Sequence, residues 1–247
     1  MRSHECDQKN ASRIIRPEYK NNNPRPAETE RRMSKFITLE GIEGVGKTRN
    51  MRYIKELLEN SGHDCVVTRE PGGTDLGEAL RDILLDHSDD NMSPDSELLL
   101  MFAARAEHLS KVILPALEKD QTVLCDRFTE ATYAYQGGGR QLDVDKISEL
   151  EDWVQGELRP DLTIILDAPV EIGRARAGGR SEPDRIEKEH DDFFQRVRSA
   201  YIELANRYPH RICLVDASLG LAAVQKNIHE KLVDYDIVGS GIMTGIE

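Results

Sequence analysis

Residues 39–50 read LEGIEGVGKTRN, and within them Gly41 to Thr48 fit the pattern G-x-x-x-x-G-K-T. The stretch follows FITLE (36–40), an apolar run of strand type, and opens a helix-like segment at 47–60. Strand, loop and helix in that order form the context a phosphate-binding loop requires. Glycines let successive backbone N–H groups turn toward an anion, and the helix N-terminus adds positive potential. Chance would place the pattern in a chain this long about once in a hundred. The loop therefore predicts a bound nucleoside triphosphate. Gly41, Glu43, Gly44, Val45, Gly46, Lys47 and Thr48 form the expected ATP-binding set. Lys47 is expected to bridge the β- and γ-phosphates, and the Thr48 hydroxyl to hold Mg²⁺. Glu43 is the odd member, a carboxylate where anions bind.

Further strand-like runs follow at 65–68, 122–125, 162–167 and 211–216. They are continuously apolar rather than alternating, as in strands covered on both faces. Helix-like segments lie at 75–86, 94–118, 143–157, 168–177, 185–207 and 220–233. Strands alternating with crossover helices predict one α/β domain built on a five-stranded parallel sheet, with helices on both faces. The long segment at 94–118 starts with Ser93 as cap and Pro94 at the first helical position.

Residues 1–32 are polar, proline-containing and without apolar periodicity, so they read as a disordered N-terminal extension. The folded domain is expected over 33–235, followed by a loose, glycine-rich tail at 236–247. No apolar run reaches the ~20 residues needed to span a membrane. The N-terminus carries Glu5 and Asp7 and lacks a secretory apolar core. A cytoplasmic protein is the expectation. Cys6, Cys65, Cys125 and Cys213 are widely spaced and form no CxxC pair, which points away from a zinc site or disulfide framework. A net charge of −12 disfavours a broad nucleic-acid footprint.

A second chemical signal is TVLCDRF, a strand ending in Asp126 and Arg127. Ligands bind at the carboxyl edge of such sheets. A carboxylate there can hold Mg²⁺ through water, and the arginine can grip a phosphate as a fork.

Taken together, EGIEGVGKT, TREPGGT, LCDRFTEATYAYQGGGR, RPDLTIILD and DRIE resemble the thymidylate kinase family in order and spacing. The resemblance runs from about residue 34 to about 233 and is strongest to the bacterial enzymes. It implies a P-loop fold of the nucleoside monophosphate kinase kind, with a mobile lid at about 173–187. It also implies ATP-dependent phosphorylation of dTMP to dTDP, with ATP and dTMP as substrates, Mg²⁺ as cofactor and a homodimer. By resemblance, Arg69 binds the dTMP phosphate beside Pro71, and Arg127 holds the acceptor phosphate. Arg105 reaches toward the base O4 or the phosphate. Thr132 and Gln136 contact the thymine edge, and Tyr133 and Tyr135 line the pocket. The lid offers Arg174, Arg176, Arg180 and Arg185, of which Arg176 and Arg180 are the expected catalytic pair beside Lys47 and Arg127.

The sequence departs from the family pattern where an aromatic residue stacks on thymine. Either Met101 packs there or Phe102 does; one residue is about 100° of helix rotation, so the two are not expected to stack together. Where the family carries two hydroxyl residues, this chain has Ala131 and Thr132.

The acceptor would be a phosphate whose second pKa is about 6, so its oxygen is already anionic and no general base is needed. Glu43 would be repelled by ATP and is expected to face the acceptor instead. In the resembling family, that position holds the sugar 3′-hydroxyl.

Overall fold

The computed structural model describes residues 34–86, 92–178 and 184–240. The expected disordered extension and Arg180 lie outside the described residues.

Five strands form one parallel sheet in the order β2-β3-β1-β4-β5. They are β1 (Phe36–Glu40), β2 (Cys65–Arg69), β3 (Thr122–Asp126), β4 (Leu162–Asp167) and β5 (Ile212–Asp216). Successive residues point to opposite faces, and both faces of β1, β3 and β4 are covered, whereas the edge strand β2, expected to be covered as well, leaves Val67 45% exposed. Phe36, Val123 and Cys125 pack with Leu109, Ile113 and Phe128 on one side. Ile37, Leu39, Leu124 and Ile164 join the larger core on the other. That double burial explains the continuous apolar runs. Inside the sheet, Thr38 and Thr163 are register partners whose hydroxyls meet at 2.8 Å, satisfying one another.

The helices are α1 (Lys47–Asn60), α2 (Asp75–Leu85), α3 (Pro94–His108), α4 (Leu114–Glu118), α5 (Thr129–Thr132), α6 (Val144–Gln155), α7 (Val170–Ala177), α8 (Asp191–Arg207) and α9 (Leu221–Asp234). Ser93 caps α3 by accepting from Ser96 N, with Pro94 inside the first turn. The expected single helix at 94–118 is instead two helices joined by a wider π turn at Leu109–Ile113. Leu114 N bonds back five residues to Leu109 O. Pro115 follows, lacks an N–H and would crowd a regular turn, so the ladder widens there.

A second π segment, Tyr133–Gly139, extends α5 and was not expected, because three consecutive glycines disfavour helix. Packing overrides that preference. A Cβ on Gly139 would fall 2.4 Å from the Phe193 ring, so the bare backbone is what lets this segment press against α8. Two boundaries also differ. The helix expected from 185 starts at Asp191. Ile237 and Val238, placed in the loose tail, are buried against the core.

Leu39 and Asp126 are register partners, so the loops leaving β1 and β3 start side by side at the carboxyl edge.

Candidate active site

One cavity of about 1150 Å³ opens at this edge, walled by the β1–α1 loop, the ends of β2 and β3, α3, α5 and α7. Gly46 closes the loop in a left-handed conformation (φ 95°), as a non-glycine residue seldom does. Lys47 arches back over the loop, donating from Nζ to Gly41 O at 2.9 Å and Ile42 O at 3.1 Å. Burial, with Arg127 adding repulsion, pushes its pKa down to about 8. Thr48 is exposed at the cavity mouth, and Val45 is buried behind the loop.

Glu43 turns away from the loop's inner face. Its Oε1 accepts from Arg127 Nη2 at 2.7 Å, and the Tyr135 hydroxyl sits 2.9 and 3.0 Å from its two oxygens. Arg127 lies over the Tyr135 ring at 4.8 Å and reaches the Tyr201 hydroxyl at 3.4 Å. Its backbone takes φ 70°, uncommon for a non-glycine residue, at the point where β3 turns into the cavity. Behind it, Tyr201 donates to buried Glu40, as does Phe128 N. Burial raises the Glu40 pKa to about 8.

Arg69 lines the cavity and pairs with Glu78 at 2.7 Å. Pro71 O accepts from Arg81 Nη1, which brings Arg81 into the same wall. Burial and the neighbouring Arg69 and Arg127 push the Arg81 pKa down. Three guanidinium groups that repel one another in this way are suited to a polyanion.

At the other end, Met101 lines the cavity while Phe102 is buried in the core. The Arg105 guanidinium sits 4.8 Å over the Phe102 ring, so Phe102 supports the arginine from the far side. Arg105 Nε donates to Glu70 at 2.7 Å and Nη2 to Thr132 at 2.9 Å, while Nη1 is buried without a partner. Glu70 also holds His108, which meets Thr68 at 2.6 Å. Gln136 donates through Nε2 to Glu97, leaving a buried, unpartnered Oε1. Tyr133 turns from the cavity to Glu151, in the direction opposite to its neighbour Tyr135. Alternate residues of a helical turn cannot share one wall, so Tyr135 lines the site and Tyr133 the core.

The thymidylate kinase family model matches residues 39–228. The chain belongs to the thymidylate kinase family. It is 57% identical over 199 residues to a thymidylate kinase of Alkalilimnicola ehrlichii, covering 80% of this chain and 92% of that protein. It is 58% identical over 193 residues to one from Pseudomonas entomophila, covering 78% and 92%. The crystal structure of thymidylate kinase from Ehrlichia chaffeensis superposes with a TM-score of 0.66 at 33% identity, covering 81% of this chain and 98% of that one. Its family is one of kinases, and the parallel sheet is of the P-loop nucleoside monophosphate kinase kind.

The arginines of the segment expected to act as a lid, 173–187, are distributed unevenly. Arg176 donates to the carbonyls of Ala217 and Ser218 at 2.6 and 3.0 Å and faces the cavity. Arg174 also lines it, held by Asp191 and Glu189 O. Arg185 points the other way, to Leu84 O and Glu97. Residues 179–183, including Arg180, lie outside the described part. Among the described residues, no three His, Cys, Asp or Glu side chains form a metal-binding group. Asp126 Oδ1 is nonetheless buried and unpartnered. No helix among those residues is long and apolar enough to cross a membrane.

Sequence reading missed Arg81, Glu70, His108, Tyr201 and Glu97. The TREPGG stretch contained Glu70, but only the fold shows that it meets Arg105, 35 residues away.

Proposed function

We propose that this protein phosphorylates dTMP with ATP, in the cytoplasm and as a homodimer, with residues 33–235 as its kinase domain. The observation that carries the proposal is one cavity with two differently equipped halves. The phosphate loop and Lys47 serve the donor. Arg127, Arg69 and Arg81 serve the acceptor phosphate, and Arg105 with Gln136 serves the base.

In this reading, an acceptor phosphate oxygen attacks the γ-phosphorus of ATP. The O–P bond to the acceptor forms as the bond to the β-phosphate bridging oxygen breaks, giving dTDP and ADP. Charge stabilisation carries most of the barrier reduction. Lys47 and Arg127 flank the transferring group, Arg176 is assigned to its outer side, and Arg180 keeps the catalytic role that the family resemblance implies. The residues fit Mg²⁺: a divalent ion of this kind takes one or two carboxylates and completes its shell with phosphates and water. Asp126, through its free oxygen, and Thr48 would hold it, and its charge would offset that of the phosphates.

The base end supports thymine. Arg105 Nη1 is an open donor and Gln136 Oε1 an open acceptor. That pair complements C4=O and N3–H of a pyrimidine, with Met101 as the apolar surface and Thr132 steadying Arg105. Glu43, turned from the donor side, is assigned to the sugar 3′-hydroxyl.

Purified protein with ATP and Mg²⁺, tested on dTMP, dUMP, dCMP, dGMP and thymidine, should turn over dTMP best. Turnover of thymidine without dTMP would overturn the proposal.

A further inference from the structure

Glu97 stands in the first turn of α3, fully buried and outside the cavity lining. Its carboxylate meets donors throughout. Gln136 Nε2 lies at 2.7 Å from Oε1, Arg140 Nε at 3.3 Å from both oxygens, and Arg185 Nη2 at 2.7 Å from Oε2. Burial favours the neutral acid, but Arg140, the Gln136 amide and Arg185 outweigh it and hold the carboxyl below its usual range. An ionised carboxylate accepts and cannot donate.

A primary amide presents an acceptor on one side and a donor on the other, exchanged by a half-turn. With Nε2 held by Glu97, Oε1 must face the opposite way. That oxygen is buried and has no protein partner, and Gln136 lines the cavity. The flipped amide would set oxygen against carboxylate oxygen, a repulsive contact in a buried place.

We infer that Glu97 is a positioning residue that locks the Gln136 amide with its acceptor toward the base, and thereby selects pyrimidines bearing N3–H over those with a bare N3. The inference rests on the reading of the base end given above. Thymine and uracil carry a donor at N3 and an acceptor at C4, and cytosine carries the reverse. A free amide could turn to suit either ring. Glu97 removes the choice, and a buried polar mismatch rejects a ligand more strongly than a missing methyl does.

The test compares wild type, Glu97→Gln and Glu97→Asp in kcat/KM for dTMP and dUMP, and in the Ki of dCMP as a competitor. Glu97→Gln can donate as well as accept, so it should reduce discrimination between dTMP and dCMP about tenfold or more. The dTMP-to-dUMP ratio should hold, and Glu97→Asp should recover much of the lost discrimination. A merely structural role would weaken all three nucleotides in parallel, and that result would overturn the inference. Should Glu97→Gln fail to fold, the side-chain amide of Gln136 in ¹⁵N-labelled wild type decides. One set of resonances, unchanged in number when dTMP is added, is expected; two sets or exchange broadening overturns the inference. N3-methyl-dTMP separates the two levels. If wild type uses it as well as dTMP, the base reading fails. If wild type rejects it while Glu97→Gln keeps full discrimination against dCMP, only the role of Glu97 fails.

Discussion

Arg127 Nη2 donates to Glu43 Oε1 at 2.7 Å, joining the phosphate loop to the end of β3 across 84 residues of sequence. Both side chains are mostly buried, at 17% and 21% exposure, so the pair is only partly screened by solvent. Under the proposed function the loop would serve two sides. Backbone and Lys47 would face one anion, while the carboxylate turns to Arg127, which would meet the other.

Glu43→Ala should accordingly act on one substrate. Charge-assisted hydrogen bonds contribute about 1.5–3 kcal/mol, so kcat/KM for dTMP should fall roughly ten- to a hundredfold. The KM for ATP should stay near that of wild type. Steady-state kinetics with each substrate varied would check this; a change confined to ATP would assign Glu43 to the wrong side.

Arg127→Ala should lower kcat/KM by about a thousandfold or more, as when a group that stabilises transition-state charge is removed. Arg127→Lys should recover little, since an ammonium lacks the planar fork that spans Glu43 and a phosphate together. Arg127→Gly provides a control on folding: at φ 70° glycine is unstrained, so its melting temperature should match or exceed that of Arg127→Ala. Thermal melts alongside kinetics separate the two effects. Near-normal turnover by Arg127→Ala would remove this arginine from the mechanism.

How much of this was legible in the sequence depends on the range of the interaction involved. Strands covered on both faces and the G-x-x-x-x-G-K-T loop are local patterns, and both the sheet and the loop lie where those patterns put them. The π turn at Leu109–Ile113 also has a local cause in Pro115, which a careful reading of the helix at 94–118 could have used. The helix through Gly137–Gly139 could not be read locally. Its glycines oppose helix, and the compensation comes from Phe193 and Ala200 on α8. The choice between Met101 and Phe102 likewise depends on helix rotation, which only packing fixes. Arg81 and Glu97 read as ordinary charges on amphipathic helices until the fold brings Pro71 and Gln136 to them.

Lys47 gives a pH prediction. Its pKa in the folded, ligand-free protein is about 8 against an ordinary 10.5. The charged form that attracts phosphate is therefore present at pH 7 and lost as pH rises through 8. ATP affinity of wild type should decline above pH 8, approaching tenfold per pH unit, and be flat over this range in Lys47→Met. Stability runs the other way. Between pH 8 and 10.5 the unfolded chain holds the proton more tightly, so the contribution of this group to stability rises across that window. Below pH 8 the buried ammonium costs its full penalty. Lys47→Met should thus melt higher than wild type at pH 7 while losing nearly all turnover, the trade expected where activity needs a destabilised charge. Calorimetric titration of ATP from pH 7 to 9.5, with melts of both proteins, would test it; a flat wild-type profile would contradict the burial of the amine.

Gly173 on α7 touches the other face of the loop. A Cβ there would fall 2.7 Å from Glu43 O and 3.2 Å from Ile42 Cδ1, while one on Gly44 would fall 1.9 Å from Gly173 O. Two backbones meet with no side chain between them, so α7 buttresses the segment that carries both Glu43 and the glycines. Gly173→Ala must push helix and loop apart. Overpacking of this kind costs about 1–3 kcal/mol. In a domain of this size, each kcal/mol lowers the melting temperature by about 2–4 °C. The kinetic signature should differ from that of Glu43→Ala, because the whole loop moves: kcat/KM should fall for ATP and dTMP together. Gly239→Ala, where an added Cβ meets nothing within 4 Å, serves as the stability control and should melt like wild type. If Gly173→Ala kept wild-type melting and kinetics, the loop would have room to shift without consequence, and α7 would not be what holds Glu43 toward Arg127.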